Sequence, residues 1–520
     1  MADMQHADEE KQIGHDVSGV AADSSSDEIP GYLRNASQKG FFGKLRYYEE
    51  ALDRKLGVES HGIARKLPED RDPSYAKWSN QLVMFALWAS GTMNLSCFAT
   101  GFLGWELGLD LRQSILIVVF STLIGSSVTG WCATMGAPTG LRQISISRYS
   151  LGWWPSKAMA LLNVVEQIGW SSVGSITGGV ALSAVSDGKI GSALGVVICA
   201  VAGLIISFFG LKVVFHYEKF AWLVFLVIFM VMYGETASFG DIHTPTTLEG
   251  STYSGMLLTL FGVVYGSSSS WASVVSDYYV EYPVNTSRVK VFLLTTLGIC
   301  IPTCIGMVLG CVVASALNSK EDWASEYEEG IGFLIQTMVH PYGFAKFILF
   351  LLVLSGIGMN CIAIYSAGLS IQQFARPLAI VPRFFWALLC FVAVILLGLA
   401  GKDQLLTYLE NFLSLLGYFT TSFFVIIFVE HYWFRKGSYA NYNLDSWNNP
   451  KEMPVGFAGG LAFALGIIGA VLGMSTTWYV GVIAIKIGDY GGDVGNQLAF
   501  VFSLFVYVPA RYLELKFVGR

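Results

Sequence analysis

From about residue 83 onward, apolar runs of roughly 20 residues follow one another almost without interruption. A helix rises about 1.5 Å per residue, so each run is long enough to cross a hydrocarbon layer about 30 Å thick. The runs fall near 83–106, 114–136, 158–184, 191–210, 219–238, 254–277, 290–316, 343–374, 380–399, 405–432, 456–474 and 494–512, which is twelve. In lipid every backbone polar group needs a partner inside the protein, so such runs become helices packed side by side. Only 13% of the 520 residues are charged and 53% are hydrophobic, with a mean hydropathy of +0.54. Those values belong to a membrane protein. The expected fold class is therefore an all-α polytopic membrane protein with twelve transmembrane helices.

The flanks set the topology. Residues 1–77 are polar, contain "ADSSSDEIPG" and have no apolar h-region, so a largely disordered N-terminal tail without a cleavable signal peptide is expected. A short amphipathic piece is expected around "FFGKLRYYEEALDRKLG". The transporter-like body occupies 78–512, and 513–520 form a short C-terminus. Basic residues collect on one side. The even-numbered loops and the C-terminus hold fifteen Lys and Arg: Arg142, Arg148, Lys157, Lys212, Lys219, Arg288, Lys290, Arg376, Arg383, Arg435, Lys436, Lys451, Arg511, Lys516 and Arg520. The odd-numbered loops hold Arg112, Lys189, Lys320, Lys402 and Lys486, with Lys346 at a helix edge. The basic side is read as cytosolic, which puts both termini there. All eight cysteines lie in apolar runs and read as packed thiols, with no disulfide or metal framework. The segment "TTWYVGVIAIKIGDYGGD" carries Lys486 and reads as an outside loop or half-buried piece.

Two spans look interrupted. The sixth contains "YGSSSSWASVVSDYY", where Gly266 and Ser267–Ser270 invite a break beside Trp271. The first contains "WASGTMNLSCFATG", with Ser90, Gly91, Thr92, Asn94 and Ser96. These are matching positions if spans 1–5 (about 83–238) and 6–10 (about 254–432) are two halves, with two extra helices over 456–512. An odd number of spans per half inverts one half relative to the other. Paired broken helices in inverted halves point to a midplane binding site in a secondary transporter. Tight helix packing by Gly and Ser is the alternative reading.

The third span aligns Asn163, Glu166, Trp170 and Gly174 on one face of "LLNVVEQIGWSSVGS". Glu166 is an ionisable residue at apparent membrane depth and hence a functional candidate, unless it only bonds helices together. The eighth span, "LVLSGIGMNCIAIYSAGLS", has one large amide, Asn360, which either bonds another helix or faces a ligand.

From about residue 75 to the end the chain resembles fungal purine-cytosine permeases of the nucleobase–cation symporter 1 family. The resemblance rests on "GLRQISISRYSLGWWP", "HYEKFAWLV", "SSWASVVSDYYVEYP", "EHYWFRKGSYANYNLDSWNNP" and "YGGDVGNQLAF…RYLELKFVGR". It implies a LeuT-type 5+5 inverted repeat with discontinuous helices 1 and 6, and a planar base held between two aromatic rings. By that resemblance Trp170 and Trp271 are the stacking tryptophans, Ser270 offers backbone contacts, Ser96 lies near the substrate, and Asn360 reads the ring's polar edge. Two indoles and an amide suit a flat neutral base. The implied function is import of purines and/or cytosine across the plasma membrane. Members commonly carry an amide one turn after the third-span tryptophan; here that residue is Gly174, which leaves Glu166, Gln167 or Ser175 to take over, or a different substrate. Sodium-coupled relatives place adjacent hydroxyls before the eighth-span Asn, where this chain has Leu354–Ser355. The coupling ion is therefore expected to be a proton and no cofactor is expected. Glu166 is the first candidate carrier, with Asn163 beside it as a substrate or coupling contact and Asp277 and Glu410 as weaker candidates. A carrier of another neutral heterocycle, such as pyridoxine, uracil or allantoin-like compounds, shares every one of these features. An enzyme is disfavoured because no metal cluster, nucleophile elbow or phosphate loop occurs; His216 and His431 stand singly at span ends. Expected partners are a small nucleobase and the bilayer, with no nucleic acid.

Overall fold

The structure is a computed structural model that describes residues 44–45, 63–208 and 211–520. Most of the expected tail, with its amphipathic piece, lies outside the described residues. Among the described residues eight helices are long and apolar enough to cross a bilayer, and one bent pair makes a further candidate. The eight are span 2 (Leu111–Ala133), span 3 (Pro155–Val185), span 5 (Leu211–Thr236), span 7 (Arg288–Ala316), span 8 (Tyr342–Phe374), span 9 (Arg383–Gly401), span 10 (Leu405–Val429) and span 12 (Gly495–Val518). Span 1 is the bent pair, Trp78–Thr92 and Leu95–Glu106, which changes direction by 57°. Two shorter apolar helices, span 4 (Ser192–Phe208) and span 11 (Phe457–Gly473), stand at their expected positions, as does span 6 (Gly250–Ser269). The lysine-bearing segment before span 12 is a two-stranded hairpin, Ser475–Thr476 with Tyr479–Val480, followed by a 3-10 turn at Ala484–Lys486.

Helix neighbours repeat with an offset of five. Span 1 packs on spans 5 and 7, and span 6 packs on spans 10 and 2. Span 3 packs on 4 and 9, and span 8 packs on 9 and 4. The pairs 2–7 and 3–8 are each their own counterpart under this exchange. Two five-span halves related by a pseudo-twofold axis produce this pattern. At the 3–8 crossing the backbones nearly touch: a Cβ on Gly356 would lie 2.5 Å from the Gly174 carbonyl oxygen, and one on Gly174 would lie 2.9 Å from that of Gly356. Small residues at such crossings allow the close approach on which helix association in lipid depends.

On the basic side, residues 63–77 are packed against the body. Arg71 is buried and donates from one guanidinium nitrogen to the Ala137 carbonyl at 2.6 Å and the Tyr282 carbonyl at 2.5 Å. Lys66 pairs with Glu281 at 3.0 Å and Arg65 with Asp445 at 2.9 Å. Spans 10, 11 and 12 are joined there by buried charges. Arg511 pairs with Glu430 at 3.1 Å and Glu514 at 3.0 Å, and the Glu514 carboxylate accepts the Gly456 and Phe457 N–H groups at the start of span 11. Each carboxylate is both paired and hydrogen-bonded, which buried ions require.

Candidate substrate site

Span 1 breaks because Asn94 makes it break. Its backbone is extended, and its side-chain oxygen accepts the Cys97 N–H at 3.0 Å, restarting the helix as an N-cap. The same oxygen accepts the Ser96 hydroxyl at 2.5 Å, and the amide nitrogen donates to the Gly91 carbonyl at 3.0 Å. Gly91 itself borders open space, since a Cβ there would meet nothing within 4 Å.

Span 6 behaves differently from the sequence expectation. The helix runs straight through the serines to Ser269, then tightens into 3-10 turns at Ser270–Ser273 and Val275–Tyr278. The break therefore begins at the last of the four serines, beside Trp271. Gly266 serves packing: a Cβ there would fall 1.9 Å from the Leu413 carbonyl oxygen of span 10. Ser267 and Ser269 keep the helix because their hydroxyls bond within it or to a neighbouring span. Ser267 donates to the Val264 carbonyl at 2.8 Å, and the Ser269 hydroxyl meets that of Thr420 on span 10 at 3.3 Å.

Between the two breaks lies a narrow cavity of about 30 Å³, room for a water molecule or two and well below the roughly 300–1,000 Å³ of a filled ligand site. Its walls come from the span 1 break (Gly91, Thr92, Asn94, Ser96, Cys97, Thr100), span 3 (Trp170), span 6 (Ser267, Trp271), span 7 (Thr303, Met307) and span 8 (Met359). Trp170 and Trp271 face each other nearly parallel, with ring centroids 5.9 Å apart and planes 16° apart. Trp88 braces Trp271 edge-on at 5.7 Å, and Phe412 braces Trp170 at 5.5 Å. The walls carry both hydrogen-bonding senses. Trp170 Nε1 is buried with no partner among the described residues, and beyond Gly91 the Asn94 amide reaches only the Met359 sulfur at 3.7 Å. Thr92, Thr100 and Ser267 donate their hydroxyl hydrogens to backbone carbonyls, which leaves oxygen lone pairs to accept.

The site residues expected from sequence are thus partly brought together. Trp170, Trp271 and Ser96 line the cavity. Ser270 does not: it is fully buried, and its hydroxyl donates to the Ser267 carbonyl at 3.3 Å. Asn360 does not line it either. It is fully buried between spans 3, 4 and 8, donating to Ser175 Oγ at 2.9 Å and the Cys199 carbonyl at 3.4 Å and accepting from Ser171 Oγ at 3.4 Å. Its amide fills the space that Gly174 leaves, with a Gly174 Cβ placed 2.6 Å from Asn360 Oδ1. We expect Asn360→Ala to lower the melting midpoint of the purified protein while the KM of the surviving folded fraction stays within about twofold; each such interhelical bond in a membrane protein contributes about 0.6–1.7 kcal/mol. A large KM change at unchanged stability would return Asn360 to the substrate.

Glu166 and Asn163 sit behind the cavity wall, both fully buried. Ser273 Oγ donates to Glu166 Oε2 at 2.7 Å, Asn163 Nδ2 donates to Ser273 Oγ at 2.8 Å, and Ser370 Oγ donates to Asn163 Oδ1 at 2.6 Å. This chain joins spans 3 and 8 to the 3-10 turn that carries Trp271. Glu166 has no ion pair among the described residues, whereas Asp277 pairs with Arg142 at 3.2 Å and accepts the Gln143 N–H. Asn94, Thr100, Thr303 and the methionines went unassigned in the sequence. Asn94 was legible within the broken run, and Pro302 inside span 7 marked the neighbourhood of Thr303.

Known proteins share this architecture. The transporter Mhp1 of the nucleobase-cation-symport-1 family, solved closed with bromovinylhydantoin bound, superposes with a TM-score of 0.63 at 15% identity, covering 88% of this chain and 95% of that one. A Na+-coupled sialic acid symporter superposes at 0.53 with 10% identity, covering 91% and 98% of the two chains. The fold is thus the LeuT-type arrangement expected. In sequence the chain is 33% identical to the vitamin B6 transporter TPN1 of Saccharomyces cerevisiae over 89% of each chain. It is equally 33% identical to the purine-cytosine permease fcyB of Emericella nidulans, over 97% of each. The profile of permeases for cytosine/purines, uracil, thiamine and allantoin matches residues 74–495, and the chain belongs to that family.

Proposed function

We propose that this chain imports purine bases and/or cytosine across the plasma membrane by proton symport with alternating access, both termini being cytosolic. The observation that carries the reading is the pair of near-parallel indoles over a small cavity with donors and acceptors on its walls. A stacked ring needs about 3.5 Å on each face, or about 7 Å between indoles, so the pair opens by about an ångström or more to admit it. Stacking of a base on an aromatic ring is worth about 1–3 kcal/mol. Trp170 Nε1 and the Asn94 amide then meet ring acceptors, while the threonine and serine oxygens meet ring N–H or amino groups. The purine-cytosine permease relatives support this substrate class.

One observation favours a second reading, a pyridoxine carrier. The amide of Asn360 is engaged among helices and Gly174 offers none, so one base-reading group is missing and hydroxyl groups dominate the walls. A ring bearing hydroxymethyl groups suits such walls, and a relative of equal identity carries vitamin B6. Competition separates the two. Adenine, hypoxanthine and cytosine are expected to inhibit uptake of a radiolabelled base in cells lacking other carriers, with pyridoxine inert. Uptake of labelled pyridoxine, insensitive to all three bases, establishes the second reading instead.

A further inference from the structure

Two of the strings that carry the family resemblance, "GLRQISISRYSLGWWP" after span 2 and "SSWASVVSDYYVEYP" at the end of span 6, meet on the basic side. Each holds the other's backbone with a side chain. Gln143 Oε1 accepts the Ser276 N–H at 3.3 Å and the Ser276 hydroxyl as well, and Asp277 Oδ1 accepts the Gln143 N–H at 2.7 Å. Arg142 pairs with the same Asp277 carboxylate at 3.2 Å. Where no side chain intervenes the backbones nearly touch: a Cβ on Gly136 would lie 2.5 Å from the Ser276 carbonyl oxygen. Ser276 and Asp277 belong to Val275–Tyr278, the 3-10 turn that follows the one carrying Trp271. The junction thus lies one turn beyond the indole, toward the basic side.

The junction is tight, yet its polar groups are not all satisfied. The short helix Gln143–Ser147 packs against spans 3 and 8 and against both 3-10 turns. Gln143 and Ser145 are fully buried, but Gln143 Nε2 and Ser145 Oγ have no partner among the described residues. Span 3, on which this helix packs, adds two more buried and unpartnered atoms, Gln167 Nε2 and Glu166 Oε1. Folded interiors rarely leave such atoms unpaired, so this concentration calls for another state of the molecule in which water reaches them. The junction is built to allow it. Its bonds are hydrogen bonds and one ion pair to a 3-10 segment, and each can be exchanged for a bond to water. We propose that this junction is the gate on the basic side, shut in this structure, which opens to join the tryptophan site to the cytosol. Gln143 is the positioning residue that shuts it. The inference rests on transport and on the basic side being cytosolic, and it holds for a base or for pyridoxine as cargo.

The test uses the full-length protein in inside-out vesicles, with Ser145→Cys as the reporter and the unsubstituted chain as the blank for its eight native cysteines. A membrane-impermeant maleimide is expected to label Ser145→Cys slowly. Adding Gln143→Leu is expected to raise that rate about fivefold, the worth of one net hydrogen bond in the shut state. A second readout keeps the junction closed. Gln143→Cys combined with Ser276→Cys, bridged by a short reducible bis-methanethiosulfonate, is expected to lose uptake of labelled adenine or pyridoxine, whichever the unsubstituted chain takes up. Reduction should restore uptake, and each single-cysteine variant treated alike should keep it. Uptake that persists through the bridge overturns the proposal, because a contact that never opens can be tied without effect. An unchanged labelling rate in a folded Gln143→Leu protein overturns it too; if that variant does not fold, the bridged pair decides alone.

Discussion

Trp271→Ala is expected to cut uptake of the labelled base by one to two orders of magnitude while the protein still reaches the cell surface. The loss of a stacking face accounts for about 1–3 kcal/mol, or roughly 5- to 150-fold. The substitution removes the one indole that Trp88 braces and that pairs with Trp170 at 5.9 Å. Trp271→Phe keeps a ring on the same 3-10 turn and should retain part of the activity. Surface protein is measured by a fluorescent tag, so that a trafficking failure is recognised. Normal uptake by Trp271→Ala at normal surface level would falsify the aromatic sandwich.

Glu166→Gln is expected to abolish accumulation against a gradient while leaving exchange of labelled for unlabelled substrate. Gln has the same length and can still accept the Ser273 hydroxyl through its carbonyl, so the 2.7 Å contact and the turn it steadies survive. What disappears is the capacity to take up and release a proton. In the wild type we expect uptake to rise as external pH falls; in Glu166→Gln that dependence should flatten. The wiring is short. Glu166 bonds Ser273, Ser273 stands two residues beyond Trp271, and the whole segment is 3-10 turn with few helical bonds to hold it. A change of charge at Glu166 is thus felt where the indole has to move. If Glu166→Gln still concentrates substrate with an intact pH response, the coupling proton is carried elsewhere.

Features written in local sequence were the ones that could be read. The apolar runs gave the order of the spans, because hydrocarbon thickness fixes helix length. The break in span 1 was legible since Asn94 caps its own restart three residues on, at Cys97. Trp170 and Trp271 were recognised by motif, and they do face each other. The break in span 6 begins at the last of the four serines and not at Gly266. Four serines look like helix breakers, yet hydroxyls bonding back to the preceding turn or across to span 10 let the helix continue. That Asn360 is engaged between helices and not on the cavity wall was hidden because its environment is tertiary. Nothing in spans 3, 4 and 8 read singly says that Ser175, Cys199 and Ser171 converge on that amide. The docking of residues 63–77 was hidden for the same reason: Arg71 is one more charge in a polar stretch until its two carbonyl partners, 66 and 211 residues away, are in view.

The contact between Gly174 and Asn360 also constrains how specificity in this chain can change over generations. A side chain at 174 would begin 2.6 Å from the Asn360 oxygen and 2.9 Å from the Gly356 carbonyl. An amide introduced at 174 alone therefore collides with the crossing, and loss of the Asn360 amide alone leaves the Ser171 hydroxyl without its partner beside a gap. An amide at 174 is accommodated only if Asn360 or the crossing itself shifts with it. Specificity at this crossing is therefore tied to helix packing, so a change at 174 has to be matched by a change across the interface.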